Sequence, residues 1–312
     1  MKKLNAQDGS HASALCFGCM QFGGTADATD SRAMFDACRA VGVNVFDTAH
    51  TYTQGASERL LGDFVSQDRD QLIIATKAGY TEGSGRETIL RQFDESRTRL
   101  NLDMVDILYL HRWDPDTPLE ETFETLCALQ QSGAIRHIGV SNFAAWQVMK
   151  AQAIAKDLGT RIDVLQPMYS LVKRQAEVEL FPMAISEGIA VMPYSPLGGG
   201  LLTGKYLEGG TGRLSEDERY AARYGQSWMH DAAKELLAVS QAMRTDAATL
   251  AVAWVAHHPA VTAPIISART VHQLGPSLAA LGVDLSPQDY ADLEALSPRP
   301  APATDRLEEA SG

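Results

Sequence analysis

Eight short apolar runs recur along this 312-residue chain, at residues 14–18, 43–47, 72–76, 107–110, 135–140, 164–166, 189–194 and 262–266. A strand buried on both faces reads as a nearly continuous apolar run, and parallel strands need long crossovers, usually helical, between them. Those crossovers are present. The amphipathic pattern predicts helices over 31–41, 57–64, 86–100, 119–131, 144–157, 175–186 and 231–243, with 247–257 and 287–296 following. Gly42, Gly133, Gly159 and Gly188 closely follow helical runs, where a left-handed residue ends a helix. Eight parallel strands are the number that closes a (β/α)8 TIM barrel, an architecture that fills a chain of this length as a single domain. A doubly wound open sheet is the rival, but the G-x-G-x-x-G turn of a Rossmann site is absent.

Two segments break the alternation. Residues 196–228 form a long glycine-bearing stretch after the seventh strand, expected to be a loop with a functional role. From residue 297 the chain turns rich in Pro, Ala and acidic residues, which predicts a barrel domain over 1–296 and a flexible tail over 297–312.

Composition narrows the function. Apolar residues make up 45% and charged residues 21%, ordinary globular usage that argues against a disordered chain. A net charge of −12 opposes the basic footprint that nucleic acid or anionic lipid requires. After Met1-Lys2-Lys3 the chain is polar, and no run approaches the ~18 apolar residues of a membrane helix, so a cytoplasmic protein is expected. Oligomeric state is not specified. Four cysteines are too few for a disulfide framework, and Cys16-Phe17-Gly18-Cys19 lacks the second ligand pair of a tetrahedral metal site, so no metal is expected.

In a barrel, residues at the C-terminal ends of the strands share one face. Asp47 closes the second strand, Tyr52 lies in the loop after it, Lys77 follows the third and His111 the fourth. A phenol of ordinary pKa about 10 is a weak acid at neutral pH, and a nearby ammonium lowers that value by stabilising phenolate. Lys77 is placed to do so, with Asp47 holding the ammonium and neutral His111 donating to a carbonyl oxygen. None of the four stores electrons, so redox chemistry requires an external hydride carrier. Singly, Asp47 reads equally well as a turn cap and Lys77 as a solvated strand end. Their joint position after consecutive strands favours chemistry. His50 beside them reads as a pocket wall, and Tyr80 and Trp113 read either as pocket lining or as core.

These residues resemble the aldo-keto reductase family, and the resemblance runs from Leu15 to about Leu281. It rests on Asn44-Val45-Phe46-Asp47-Thr48-Ala49 with Tyr52, on Ala75-Thr76-Lys77, on Asp106-Ile107-Leu108-Tyr109-Leu110-His111 and on Ile138-Gly139-Val140-Ser141-Asn142-Phe143. It is closest in kind to the longer-loop branch that includes channel β-subunit-like and bacterial members. The resemblance implies that Asp47, Tyr52, Lys77 and His111 form a catalytic tetrad and that the barrel binds NADPH extended, to reduce a small-molecule carbonyl. By the same likeness, Ser141, Asn142 and Gln166 match positions that hold the nicotinamide carboxamide, and Tyr194 matches the ring stacked beneath it. Ser195, Leu197 and Lys205 match a pyrophosphate loop, and Ser267, Arg269 and Gln273 match positions around the 2′-phosphate and adenine. The chain departs from the pattern at Gly275-Pro276-Ser277, where an acidic residue and Asn are expected, and at Cys19, where Thr is common. A nicotinamide-binding sensor or partner subunit of the same fold is the alternative, and a metal-dependent barrel hydrolase is opposed by the missing ligand pattern.

Overall fold

The computed structural model describes residues 4–306 and 308. Its eight strands are β1 (Cys16–Gly18), β2 (Val45–Asp47), β3 (Ile73–Ala78), β4 (Val105–Leu110), β5 (Ile135–Ser141), β6 (Ile162–Gln166), β7 (Ala190–Val191) and β8 (Ile265–Ile266). All pairings are parallel, in the order β7-β6-β5-β4-β3-β2-β1-β8. The two ends of that row meet. A parallel bridge joins Tyr194 to Ile265, and the amides of Thr262 and Ile265 donate to the carbonyls of Val191 and Pro193 (both 2.8 Å). The sheet is therefore curled on itself, consistent with a (β/α)8 barrel. β7 and β8 are shorter than the apolar runs that announce them because Pro193 and Pro264 have no N–H to give to a ladder.

The helices are α1 (Ala28–Ala40), α2 (Ala56–Val65), α3 (Arg86–Leu100), α4 (Leu119–Gln131), α5 (Ala145–Asp157), α6 (Leu180–Glu187), α7 (Arg213–Glu216), α8 (Glu218–Tyr224), α9 (Ser227–Ala242), α10 (Ala247–His257), α11 (Val271–Ala279) and α12 (Pro287–Glu294). Three coincide with the pattern in the sequence, and the four expected left-handed glycines have φ between 64° and 83°. Three features differ. Residues 175–177 make a separate 3₁₀ turn, so α6 begins only at Leu180. Helix α11 was not expected, because its interior carries Gly275-Pro276; the carbonyl that loses a helical partner to Pro276 is that of exposed His272, and Thr270 caps the start by accepting from the Gln273 amide (3.3 Å). The expected loop after β7 is instead a string of helical turns, at Gly198–Thr203, Lys205–Glu208, α7 and α8. Each is too short to show periodicity; left-handed glycines separate the first three, and Asp217 separates α7 from α8.

Side chains alternate between two cores. Val45, Ile73, Ala75, Ile107, Tyr109 and Val164 fill the barrel, while Phe46, Ile74, Leu108 and Leu165 face the helices. Gly139 belongs to the inner set, where a Cβ would overlap the Tyr109 ring. The N-terminal end is closed by a short hairpin bridged at Asn5 and His11, whose Leu4 and Ala6 join the inner core. Beneath it Asp106 is fully buried between Arg69 (2.7 Å) and Arg136 (2.8 Å). The tail expected from residue 297 begins buried, with the Ser297 carbonyl accepting from Arg174 (3.4 Å). Residues 307 and 309–312 lie outside the described residues. Among the described residues no helix is long and apolar enough to cross a membrane.

Candidate active site

Strand parity decides which polar groups enter the barrel. Successive strand residues face opposite sides. Val45 points inward, so Asp47 does as well; Ile73 and Ala75 carry Lys77 with them, Tyr109 carries His111, Gly139 carries Ser141, and Val164 carries Gln166. All five polar residues lie at C-terminal strand ends and are buried. They close the inner apolar core with a polar layer.

The Lys77 ammonium organises that layer. It bonds the Asp47 carboxylate, the Thr48 carbonyl (2.9 Å) and the Tyr52 hydroxyl (3.3 Å). The other Asp47 oxygen accepts from Gln166 Nε2 (2.9 Å). Burial works to discharge Lys77, but Asp47 and Tyr52 hold its pKa above the ordinary 10.5. It stays an ammonium. Burial also pushes the Tyr52 phenol above its ordinary 10, and the downward pull of Lys77 does not cancel this. Here the expectation of a lowered tyrosine pKa is corrected: desolvation of a phenolate outweighs one neighbouring cation. The consequence is a phenol that remains protonated at neutral pH.

The Tyr52 and His111 rings meet edge-on at 5.8 Å, and the Tyr80 ring also packs against His111 at 4.7 Å. Burial, Lys77 and Arg112 together lower the His111 pKa from 6.5 to about 3, so the ring is neutral. Its Nδ1 is buried without a hydrogen-bond partner. Between those two values the unfolded chain binds a proton at this position and the folded chain does not, so this contribution is complete above 6.5 and is lost as the pH falls. The expected slope approaches about 1.4 kcal/mol per unit, and His111→Gln should flatten urea-derived stability between about pH 6.5 and 5. An unchanged slope in the variant would show that another group governs this range.

The residues matched to cofactor positions fall into two groups. Near the tetrad they are joined: Ser141 Oγ donates to the Gln166 carbonyl (2.9 Å), Asn142 Nδ2 to the His111 carbonyl (2.9 Å), and the Tyr194 hydroxyl to Asn142 Oδ1 (2.7 Å). Gln166 spends an amide hydrogen on Asp47, a link to the tetrad that residue types alone do not reveal. Further out, Ser195 (φ 62°) leads into Leu197 and three consecutive left-handed glycines, Gly198 to Gly200. A Cβ at Gly200 would lie 3.2 Å from Lys205 Cε, so these bare backbones have an ammonium beside them. Ser267 Oγ is buried with no partner, and the Arg269 amide donates to Gln273 Oε1 (3.2 Å). Open glycine backbone, an adjacent cation and an orphaned hydroxyl are the groups an extended dinucleotide uses, and they fit one.

Other expectations change. His50 is not a pocket wall; its ring turns away to Glu95 on α3 (2.8 Å). Tyr80 does line the site, whereas Trp113 packs against Phe143 (5.3 Å) and Trp146 (5.4 Å). Burial drives the Cys19 thiol well above its ordinary pKa, Asp47 adding to this, so it is an unionised thiol packed in the core between sheet and helices. Sequence reasoning missed α8, whose Tyr220 ring packs beneath Arg213 (5.4 Å) and Arg223 (5.2 Å) and near Tyr224 (6.3 Å). Its Tyr-Arg content is a signal, but only the fold stacks these rings and cations beside the Gly198–Thr203 turn. Among the described residues there is no group of three or more His, Cys, Asp or Glu side chains suited to hold a metal ion.

The model of the Aldo/keto reductase family matches residues 14–298. A norsolorinic acid reductase of Emericella nidulans is 32% identical over 93% of this chain and 80% of its own length. Aflatoxin B1 aldehyde reductase member 2 of Rattus norvegicus is 32% identical over 90% of this chain and 82% of its own. A probable voltage-gated potassium channel subunit beta of Oryza sativa subsp. japonica is 30% identical, with 93% and 94% covered.

Proposed function

The chain belongs to the aldo/keto reductase family, and from that premise we propose that it reduces an aldehyde or ketone to the alcohol with NADPH, Tyr52 giving the proton. The observation that carries this reading is the Lys77 ammonium held between Asp47 and the Tyr52 hydroxyl, beside a neutral His111. Bound NADPH supplies the hydride. Ser141, Asn142, Gln166 and Tyr194 would hold its nicotinamide end, Ser195, Leu197 and Lys205 its pyrophosphate, and Ser267, Arg269 and Gln273 its adenosine phosphate end.

The side chains handle the proton. Tyr52 and His111 lie edge-on to one another, and in this reading each hydrogen-bonds the substrate carbonyl oxygen. As negative charge grows on that oxygen, the Tyr52 O–H bond breaks toward it. The phenolate left behind faces the Lys77 ammonium, which Asp47 keeps charged and oriented. His111 stays neutral because it is buried beside that ammonium, so it acts as a donor and does not compete for the proton. Likeness to probable channel subunits favours a second reading, a nicotinamide-binding subunit with little turnover.

Consumption of NADPH over aromatic, aliphatic, sugar-derived and dicarbonyl aldehydes separates the two readings. Turnover supports the first; tight NADPH binding with no turnover on the whole panel sinks it. In the same assay Arg269→Ala tests the cofactor preference. Arg269 is about one-third exposed and is shared with Glu216 (3.4 Å), so solvent and that carboxylate both reduce what a 2′-phosphate gains from it. We expect NADPH affinity to fall about 10-fold, roughly one weakened charged hydrogen bond, while NADH affinity is unchanged. Equal losses for both cofactors would assign Arg269 to the surface.

A further inference from the structure

The segment that carries Tyr52 has no strand or α-helix of its own. Between β2 and α2 the chain turns through Thr53, Gln54 and Gly55, all left-handed (φ 47°, 54° and 85°). Within it the Tyr52 amide donates to the Ala49 carbonyl (3.0 Å) and the Ser57 amide to Thr53 Oγ1 (2.9 Å), whose hydroxyl donates to the Phe22 carbonyl (2.8 Å). On the tetrad side it is tied by the His50 amide to the Lys77 carbonyl (3.1 Å) and by the Thr48 carbonyl to the Lys77 ammonium. On the opposite side stands Arg99 of α3.

Arg99 makes one set of contacts with the turn and another with buried acid. Its guanidinium donates to the His50 carbonyl (3.0 Å), to Glu58 Oε2 (3.2 Å) and to Glu95 Oε2 (3.0 Å), and Glu95 also receives the His50 ring. Glu58 is fully buried, and its second oxygen accepts from Thr76 (2.6 Å), the residue before Lys77. Thr76 faces outward by the same parity that turns Lys77 inward. A Cβ at Gly55 would sit 2.7–2.8 Å from three atoms of the Arg99 side chain, so the guanidinium lies directly against the turn. Leaving Glu58 without its cation would strand a buried charge, which makes this contact hard to dissolve.

We propose that Arg99 is a positioning residue for the reduction: from behind, through the His50 carbonyl and the Glu58–Thr76 link, it sets the Tyr52 turn against Lys77. It touches no reacting atom. The proposal rests on Tyr52 being the proton donor, because only then does the placement of the turn govern the rate.

The test compares three variants. Arg99→Met with Glu58→Gln removes both charges together, so no buried charge is stranded; Arg99→Lys keeps a cation; Arg69→Met is the control at the opposite end of the barrel. Each is followed by single-turnover NADPH oxidation with 4-nitrobenzaldehyde, by NADPH titration, and by hydrogen exchange of residues 48–55. A displacement of the donor by about 1 Å slows transfer about 100-fold, so the double variant should lose 10- to 100-fold in rate. Its NADPH affinity should stay within about twofold, its turn should exchange faster, and Arg99→Lys should recover most of the rate. Arg69→Met should lose stability and keep its rate. A double variant with wild-type transfer, unchanged exchange at 48–55, or a rate loss no greater than its loss of folded protein overturns the proposal. Tyr52→Phe run alongside tells two failures apart. If it still transfers, the proton-donor reading falls and this proposal with it; if it is dead beside a fully active double variant, only this proposal falls.

Discussion

Tyr52→Phe should bind NADPH with wild-type affinity and transfer hydride about 10²- to 10⁴-fold more slowly, the range that a positioned general acid contributes. The substitution keeps the ring, and with it the edge-on packing against His111, and deletes only the hydroxyl that Lys77 contacts. Fluorescence titration of the cofactor and single-turnover oxidation should therefore separate, with the second moving alone. Near-wild-type transfer would move the proton donor to another group. A loss shared equally by affinity and rate would mean that the phenol shapes the cofactor site instead.

Lys77→Met should damage two properties at once. It removes the cation that stabilises a Tyr52 phenolate, which raises an already elevated tyrosine pKa and slows reduction, by about 10²-fold or more. It also strands the buried Asp47 carboxylate with Gln166 as its remaining side-chain donor. Breaking a buried pair from one side costs about 3–5 kcal/mol. Adding Asp47→Asn to Lys77→Met should restore much of the stability and none of the rate. Urea unfolding measures the first effect and single-turnover kinetics the second. Should the double variant recover both, the ammonium matters only to folding.

Much of this site was legible because a barrel gathers the C-terminal ends of its strands on one face. Asp47, Lys77 and His111 each close or follow an apolar run and so reach that face, and the structure adds, through Val45, Ala75 and Tyr109, that they turn inward. What escaped reading does not obey a period. The Tyr52 turn is held by Arg99, 47 residues further on, and α7 and α8 are too short for a pattern to emerge. Helix α11 contains a Gly-Pro pair that ordinarily argues against helix, and it forms because the lost bond falls on its exposed side. The sign of the Tyr52 shift escaped for a different reason. A list of neighbours records the cation but not the solvent that the fold removes.

The β7–β8 seam has a consequence for how the molecule comes apart. Prolines at 193 and 264 leave this joint with one bridge at Tyr194 and the amide bonds from Thr262 and Ile265, whereas β3, β4 and β5 are laced along most of their length. A hoop under strain parts at its thinnest weld. Local opening is drawn from the least stable contacts, so the first breach should separate Tyr194 from Ile265 while Asp47, Lys77 and His111 keep their mutual geometry. Tyr194 and Ser267 stand on the two lips of that breach, and a dinucleotide gripping both would rivet it shut. The molecule would then come apart in order, yielding its hold on the cofactor first and its catalytic geometry last.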